Sequence, residues 1–240
     1  YFHNVSFSLK KGEILAITGL FGDGRGELSE CLFGARKVSS GKIRLKGKEI
    51  QSAPIIKVIK SGVSMVPRNR KERSILKDLS IKDNLSMAYF TSKKKGFYIS
   101  DRVERRRFEE NRRITNIKAA DPDHPITSLS GGNQQKVVFS RWFGLDSEVY
   151  ILDNPTQGID VGAKFEIYQI INQLAAEGKS IIMISSEMPE LLGMCDRIYV
   201  VDRGEIAGEL DRQQASQESI MKIIMNHQKQ SKEISHGQPQ

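Results

Sequence analysis

Leu129-Ser130-Gly131-Gly132-Asn133-Gln134-Gln135-Lys136 is the stretch on which the reading of this sequence turns. It offers a serine hydroxyl, two glycines that let another group come close to the backbone, and the N-terminus of a helix. Ser130, Gly131, Gly132, Asn133 and Gln134 therefore make a donor-rich edge at a helix N-terminus, suited to the terminal phosphate of a nucleotide. Seventeen residues past Lys136, the apolar run Val149 to Leu152 ends at Asp153. A strand that carries a magnesium-directed carboxylate into a site, through water, has this form. Asn154-Pro155-Thr156-Gln157-Gly158-Ile159-Asp160 follows, with Asp160 the N-cap of a helix from about Val161.

Far upstream, the apolar run from Glu13 to Thr18 leads into Gly19, Gly22, Asp23, Gly24, Arg25, Gly26 and Glu27. Leu28, Cys31 and Leu32 then recur at helical spacing until Gly34 supplies a C-terminal cap. A phosphate loop requires glycines that turn backbone N–H groups inward, a cation for the outer phosphates and a hydroxyl for magnesium. Gly19 and Gly24 stand at that spacing, and a helix from Arg25 would aim its positive end at an anion. Arg25, however, replaces the expected lysine, and its planar guanidinium is no equivalent of a compact ammonium. Gly26 replaces the expected serine or threonine. By itself the segment reads equally as a phosphate loop and as an ordinary strand-to-helix turn.

Further short strands are expected at Val5 to Leu9, around Ile43, and at Val63 to Val66, Ser180 to Ser185 and Ile198 to Val201, with helical stretches between them. Such alternation predicts a mainly parallel sheet covered by helices. Residues 71–140 break the rhythm and read as an inserted helical subdomain, with Asp101 the N-cap of a helix through Ile117. One nucleotide-binding domain is expected over 1–227, followed by a polar, aperiodic and disordered tail over 228–240.

Composition narrows the function classes. Hydrophobic residues are 38% and charged residues 28% of the 240, and no apolar run approaches the ~20 residues of a membrane-spanning helix. Two cysteines, Cys31 and Cys195, sit in apolar patterns and point to a reducing compartment. His3, His124, His227 and His236 are scattered singly, which sets zinc chemistry aside. The net charge of +8 is gathered in stretches such as Arg68 to Arg73, Lys93 to Lys95 and Arg105 to Arg107, read as a solvated or lipid-facing surface rather than a nucleic-acid footprint. The start at Tyr1, without methionine or signal pattern, reads as a domain with something before it.

Residues 129–136, together with Gly158 to Tyr168 and Ser185 to Arg197, resemble ATP-binding-cassette proteins, and in particular the second cassette of galactoside- and ribose-type importer ATPases. The resemblance covers roughly residues 4 to 225. It implies an α/β fold: a P-loop NTPase cassette with a mainly parallel core sheet, an N-terminal antiparallel β part and the inserted helical subdomain. It also implies ATP and Mg2+ as cofactors. The implied partners are a second cassette, in the same polypeptide or as a dimer, membrane permease subunits and, indirectly, a sugar-binding protein. No nucleic acid is expected. The implied place is the cytoplasmic face of the membrane, held peripherally.

In that family Asn154 stands where a glutamate polarises the attacking water, and an amide cannot take up that proton. Glu187 stands where many cassettes have a switch histidine. Arg68-Asn69 replaces the acidic pair that sugar-transporting members carry before Arg70. The resemblance thus implies unequal sites: Ser130, Gly131 and Gly132 complete the site on the partner's phosphate loop, and Asp160 lies in the loop that crosses to the partner. The chain's own loop, with Asp153, holds nucleotide with little turnover. Three other readings stay open: a nucleoside importer, a soluble cassette acting on ribosomes or nucleic acid, and a nucleotide-free adaptor.

Overall fold

The computed structural model describes residues 2–20, 22–51, 53–93, 100–145 and 147–236, the last six by their backbone alone. Residues 94 and 95 of the expected basic stretch, and residue 21 of the glycine-rich loop, lie outside the described residues. In chain order the elements are β1 (Ile14–Gly19), α1 (Arg25–Leu32), β2 (Arg44–Leu45), β3 (Lys48–Glu49), α2 (Ile55–Lys60), β4 (Val63–Val66), α3 (Arg70–Arg73), α4 (Ile81–Lys93) and α5 (Asp101–Thr115). A 3-10 turn (Ile126–Ser128) leads to α6 (Gly131–Ser140), β5 (Val149–Asp153), α7 (Val161–Ala176), β6 (Ser180–Ile184), α8 (Met188–Met194), β7 (Arg197–Asp202), β8 (Glu205–Asp211) and α9 (Gln217–His236).

Six strands form one sheet in the order β4-β5-β6-β1-β7-β8. Neighbours from β4 to β7 run parallel, and β8 is antiparallel to β7. Helices cover both faces of a parallel sheet, so its strands are apolar along their whole length. Accordingly β6 and β7 are buried at every residue. The register pairs Asp153 with Ile184 and Ile184 with Ile17, while Val66 pairs with Leu152. The segments leaving β4, β5, β6 and β1 therefore emerge together at the carboxyl edge of the sheet, where open α/β sheets bind ligands.

The antiparallel part is smaller than the alternation of Val5, Phe7 and Leu9 predicts. Those residues do alternate between half-buried and exposed neighbours, but they pair in no strand, and β2–β3 is a two-residue ladder. The segment is held instead by side chains: Arg197 donates to Ser8 O at 2.6 Å, and Phe7 packs on Tyr199 with ring centroids 6.0 Å apart. Strand β8 was not read from the sequence. It is only partly buried and contains Gly208, where a Cβ would come within 2.9 Å of Ile223 on α9; a strand glycine here marks close approach of a helix.

In the helical lobe, α4 packs on α5 and α6, and the three helices join the core of the sheet through Leu85 of α4, Phe108 of α5, and Val137 and Phe139 of α6. Buried Asn84 fixes the entry: its amide donates to Leu76 O and Ser80 O, and its Oδ1 accepts from Leu76 N. The N-cap of α5 is Ser100, not Asp101; Asp101 lies in the first turn and its carboxylate binds Lys82 and Arg105. The helix stops at Thr115 because Asn116 turns left-handed (φ 51°), short of the expected Ile117. Gly34 closes α1 as expected, at φ 78°. Helix α9 continues over 228–236, where an aperiodic tail was expected, through a run rich in the good helix formers Gln, Lys and Glu. Residues 237–240 lie outside the described residues.

Candidate functional site

At the carboxyl edge, Gly19 ends β1 and Gly24 caps α1 at φ 90°. Gly22 also has positive φ, 83°, so the loop takes the left-handed turns that glycine allows without penalty. Asp23 folds back over Gly19, where a Cβ would collide with its Oδ2 and with Val201 O. Its other oxygen accepts from Arg25 N at 3.1 Å and Arg25 Nε at 2.9 Å. Arg25 Nη1 donates to Ser185 O at 3.1 Å. The residue in the lysine position is therefore strapped to the base of the loop and to the end of β6. Burial pushes the Asp23 carboxyl above its ordinary range, against the pull of Arg25. Glu27 occupies the first turn of α1.

Asp153, at the end of β5, is 2% exposed. Its Oδ1 accepts from Asn154 Nδ2 at 2.8 Å. Its Oδ2 lies 3.4 Å from the Ser29 hydroxyl, which donates to Gly26 O at 2.7 Å, and 3.8 Å from Arg68 Nε. Burial pushes this carboxyl up too, while Arg68 and the Asn154 amide pull it down. The Arg68 guanidinium rests on Gly26: its Nη2 is 2.6 Å from where a Cβ on Gly26 would stand.

The loop thus fits phosphates, with its glycine turns, the N-terminus of the eight-residue α1 and two guanidinium groups. It does not fit the magnesium ion expected at Asp153. Position 26 has no hydroxyl, and the carboxylate already faces a cation. Asn154 has φ 48° and spends its amide on Asp153. Glu187, expected at the switch position, turns its carboxylate to Lys164 on α7, and its N–H donates to Ser185 Oγ at 3.0 Å.

The second group of expected residues forms a separate edge. Exposed Ser130 caps α6, its Oγ accepting from Asn133 Nδ2 at 3.0 Å and from Asn133 N at 3.4 Å. Gly131 lies directly under the Arg70 guanidinium, and a Cβ on Gly132 would be 2.5 Å from the Ala163 Cβ of α7. Gln134, expected to touch nucleotide, is buried: Nε2 donates to Leu129 O at 3.0 Å and Oε1 accepts from Arg70 Nε at 3.4 Å. Asp160 caps α7, accepting from Ala163 N at 2.9 Å. Among the described residues, no hydrogen bond or ion pair joins the edge 130–134 to the loop 19–27.

Sequence reasoning noted Arg68 as a departure without a role and missed Ser29, Arg70 and Lys164 as partners of the expected residues. A glycine at 26 beside an arginine at 68 was the available signal, but only the fold brings the two together.

The ABC transporter family matches residues 2–157. Ribose import ATP-binding protein RbsA of Geobacillus kaustophilus is 42% identical over 221 residues, and RbsA of Halalkalibacterium halodurans is 43% identical over 220. Each alignment covers 92% of this chain but only 45% and 44% of those relatives, so the chain spans about half their length. Among solved structures, the dimeric structure of MJ0796, a bacterial ABC transporter cassette, superposes with a TM-score of 0.76 at 21% identity, covering 88% of this chain and 90% of that one. MJ1267, an ABC transporter cassette in its ADP conformation, gives 0.77 at 21% identity over 92% and 91%. Those two likenesses show the cassette fold. The family match over residues 2–157 and relatives 42% and 43% identical across 92% of the chain go further, and they agree with the glycine loop after β1, the buried aspartate ending β5 and the serine-capped edge of α6: this chain belongs to the ABC transporter family.

Proposed function

We propose that this chain is one cassette of an importer ATPase for a monosaccharide such as ribose or galactose, the second of two cassettes in that assembly. Its own phosphate loop holds ATP to stabilise closure and turns it over little. Its Ser130–Gly132 edge completes the site on the partner cassette, where hydrolysis proceeds. The observation that carries this reading is the contrast between the two halves. The edge keeps an exposed hydroxyl at the head of α6, whereas the loop carries Arg25 strapped to Asp23, a bare Gly26 and an amide at Asn154. The similarity to ribose importers, each long enough for a second cassette beside this one, supports the pairing. Among the described residues no helix is long and apolar enough to cross a membrane. By analogy with the ribose import ATP-binding proteins, permease subunits supply the passage in this proposal, with the cassette held peripherally on the cytoplasmic face.

The test is Ser130→Asp in the complete transporter. Aspartate caps a helix as well as serine does, so the fold is kept, while its charge meets the partner's phosphate. ATP hydrolysis and sugar uptake are expected to fall by about a hundredfold, as for loss of one oxyanion-type donor. Unchanged hydrolysis in a folded, assembled variant contradicts the reading.

A further inference from the structure

We propose that the site under β1 uses the Arg68 guanidinium in place of a magnesium ion and so takes ATP free of metal, an inference that rests on reading the 19–27 loop as a nucleotide site. Gly26 and Arg68 are departures of opposite kind, one removing a side chain and the other adding a cation. In space they are a single change. Nη2, Cζ and Nη1 of Arg68 lie 2.6, 2.8 and 3.0 Å from the position of a Cβ on Gly26. A serine or threonine there, the side chain that would offer a metal its hydroxyl, displaces the guanidinium. Glycine makes the room that Arg68 fills.

The carboxylate side is consistent with this exchange. Asp153 is buried and already surrounded by the Asn154 amide at 2.8 Å, the Ser29 hydroxyl at 3.4 Å and Arg68 Nε at 3.8 Å. A dication placed between Asp153 and the loop would stand against a guanidinium in a poorly screened environment, where like charges repel strongly. Arg68 itself is suited to the substitute role. Its planar fork offers several N–H donors in fixed geometry, matching two phosphate oxygens at once. Its side chain keeps 36% of its surface exposed, so a ligand entering the loop can reach it. Arg25 adds a second guanidinium at the start of α1.

The experiment is calorimetric titration of the 240-residue chain with ATP, once with EDTA and once with Mg2+ in excess over nucleotide. The expected result is affinity in EDTA at least equal to that in Mg2+. Arg68→Gln is expected to lower the EDTA affinity by about tenfold, the loss of one charge-assisted contact, with the circular dichroism spectrum unchanged. ATP binding that is about tenfold tighter with Mg2+ in the unaltered chain overturns the inference and leaves the loop as a nucleotide site. Absence of ATP binding under both conditions overturns that reading as well.

Discussion

The guanidinium of Arg70 lies directly on Gly131, in the space a side chain at that position would need. Arg70 is 8% exposed and donates to Gln134 Oε1 at 3.4 Å and to the carbonyls of Gln157 and Gly158, each at 3.2 Å. One buried cation thus ties the segment after β4 to the head of α6 and to the loop after β5. Gly131 is a glycine for the sake of its own chain's packing as well as for any ligand.

Gly131→Ala is therefore expected to dislodge Arg70 and leave a buried charge with fewer partners. A loss of about 2–4 kcal/mol in urea unfolding is predicted. Arg70→Met, which removes the charge along with its partners' donor, should cost less than Gly131→Ala. The reverse order argues against the clamp.

A second buried cation anchors the N-terminal segment. Arg197 grips Glu13 bidentately, Nε to Oε1 at 2.7 Å and Nη2 to Oε2 at 3.1 Å, and also donates to Glu209 and to Ser8 O. Both residues of the pair are under a tenth exposed. Glu13→Gln leaves the guanidinium buried with half its compensation, at a predicted cost of about 3–5 kcal/mol by chemical denaturation. Protease cleavage before residue 10 should accelerate in the same variant.

These two anchors show where sequence reading succeeds and where it stops. Strands β1, β4, β5, β6 and β7 were legible because a strand buried on both faces must be a continuous apolar run, and each such run ends where a turn residue or a polar site residue begins. The Asp160 cap was legible because a cap needs a short oxygen-bearing side chain next to a helical pattern. Arg70 and Lys136 were not. Lys136 is 2% exposed, with Nζ donating to Asn116 O at 2.9 Å and paired with Glu166. A long charged side chain reads as solvated surface, and only the glycines, carbonyls and carboxylates that the fold gathers around it reveal burial. For the same reason β8 escaped notice: its pattern is set by α9 pressing on Gly208, not by its own alternation.

Glu104 gives a pH prediction. It is 6% exposed in the helical lobe, and burial, then the neighbouring Asp83 carboxylate, hold its pKa above the ordinary carboxyl range. The folded state therefore binds this proton more tightly than the unfolded state does. The resulting penalty is fully present above the raised folded pKa and disappears as pH falls to the unfolded value of about 4.3. Glu104→Gln should stabilise the lobe at neutral pH, and its advantage over the unaltered chain should shrink to nothing as pH falls through that window. An advantage independent of pH assigns the effect to packing alone.

Asn154 is suited to its backbone as well as to its partner. At φ 48° a side chain other than glycine, asparagine or aspartate is strained, and Asn154 adds the 2.8 Å bond to Asp153. Asn154→Glu is predicted to cost about 1–2 kcal/mol of stability and to restore no hydrolysis, because Arg25, Gly26 and Arg68 stay as they are. Phosphate release and thermal unfolding on the same sample check both halves.

The central claim is that the loop under β1 retains ATP without cleaving it. Bind radiolabelled ATP to the 240-residue chain, remove the excess, and follow the identity of the retained nucleotide with time. The account predicts that the bound nucleotide stays ATP, with conversion at least about a hundredfold slower than in a cassette with a complete site. Conversion to ADP at the rate of a complete cassette, abolished by Asp153→Asn, contradicts it.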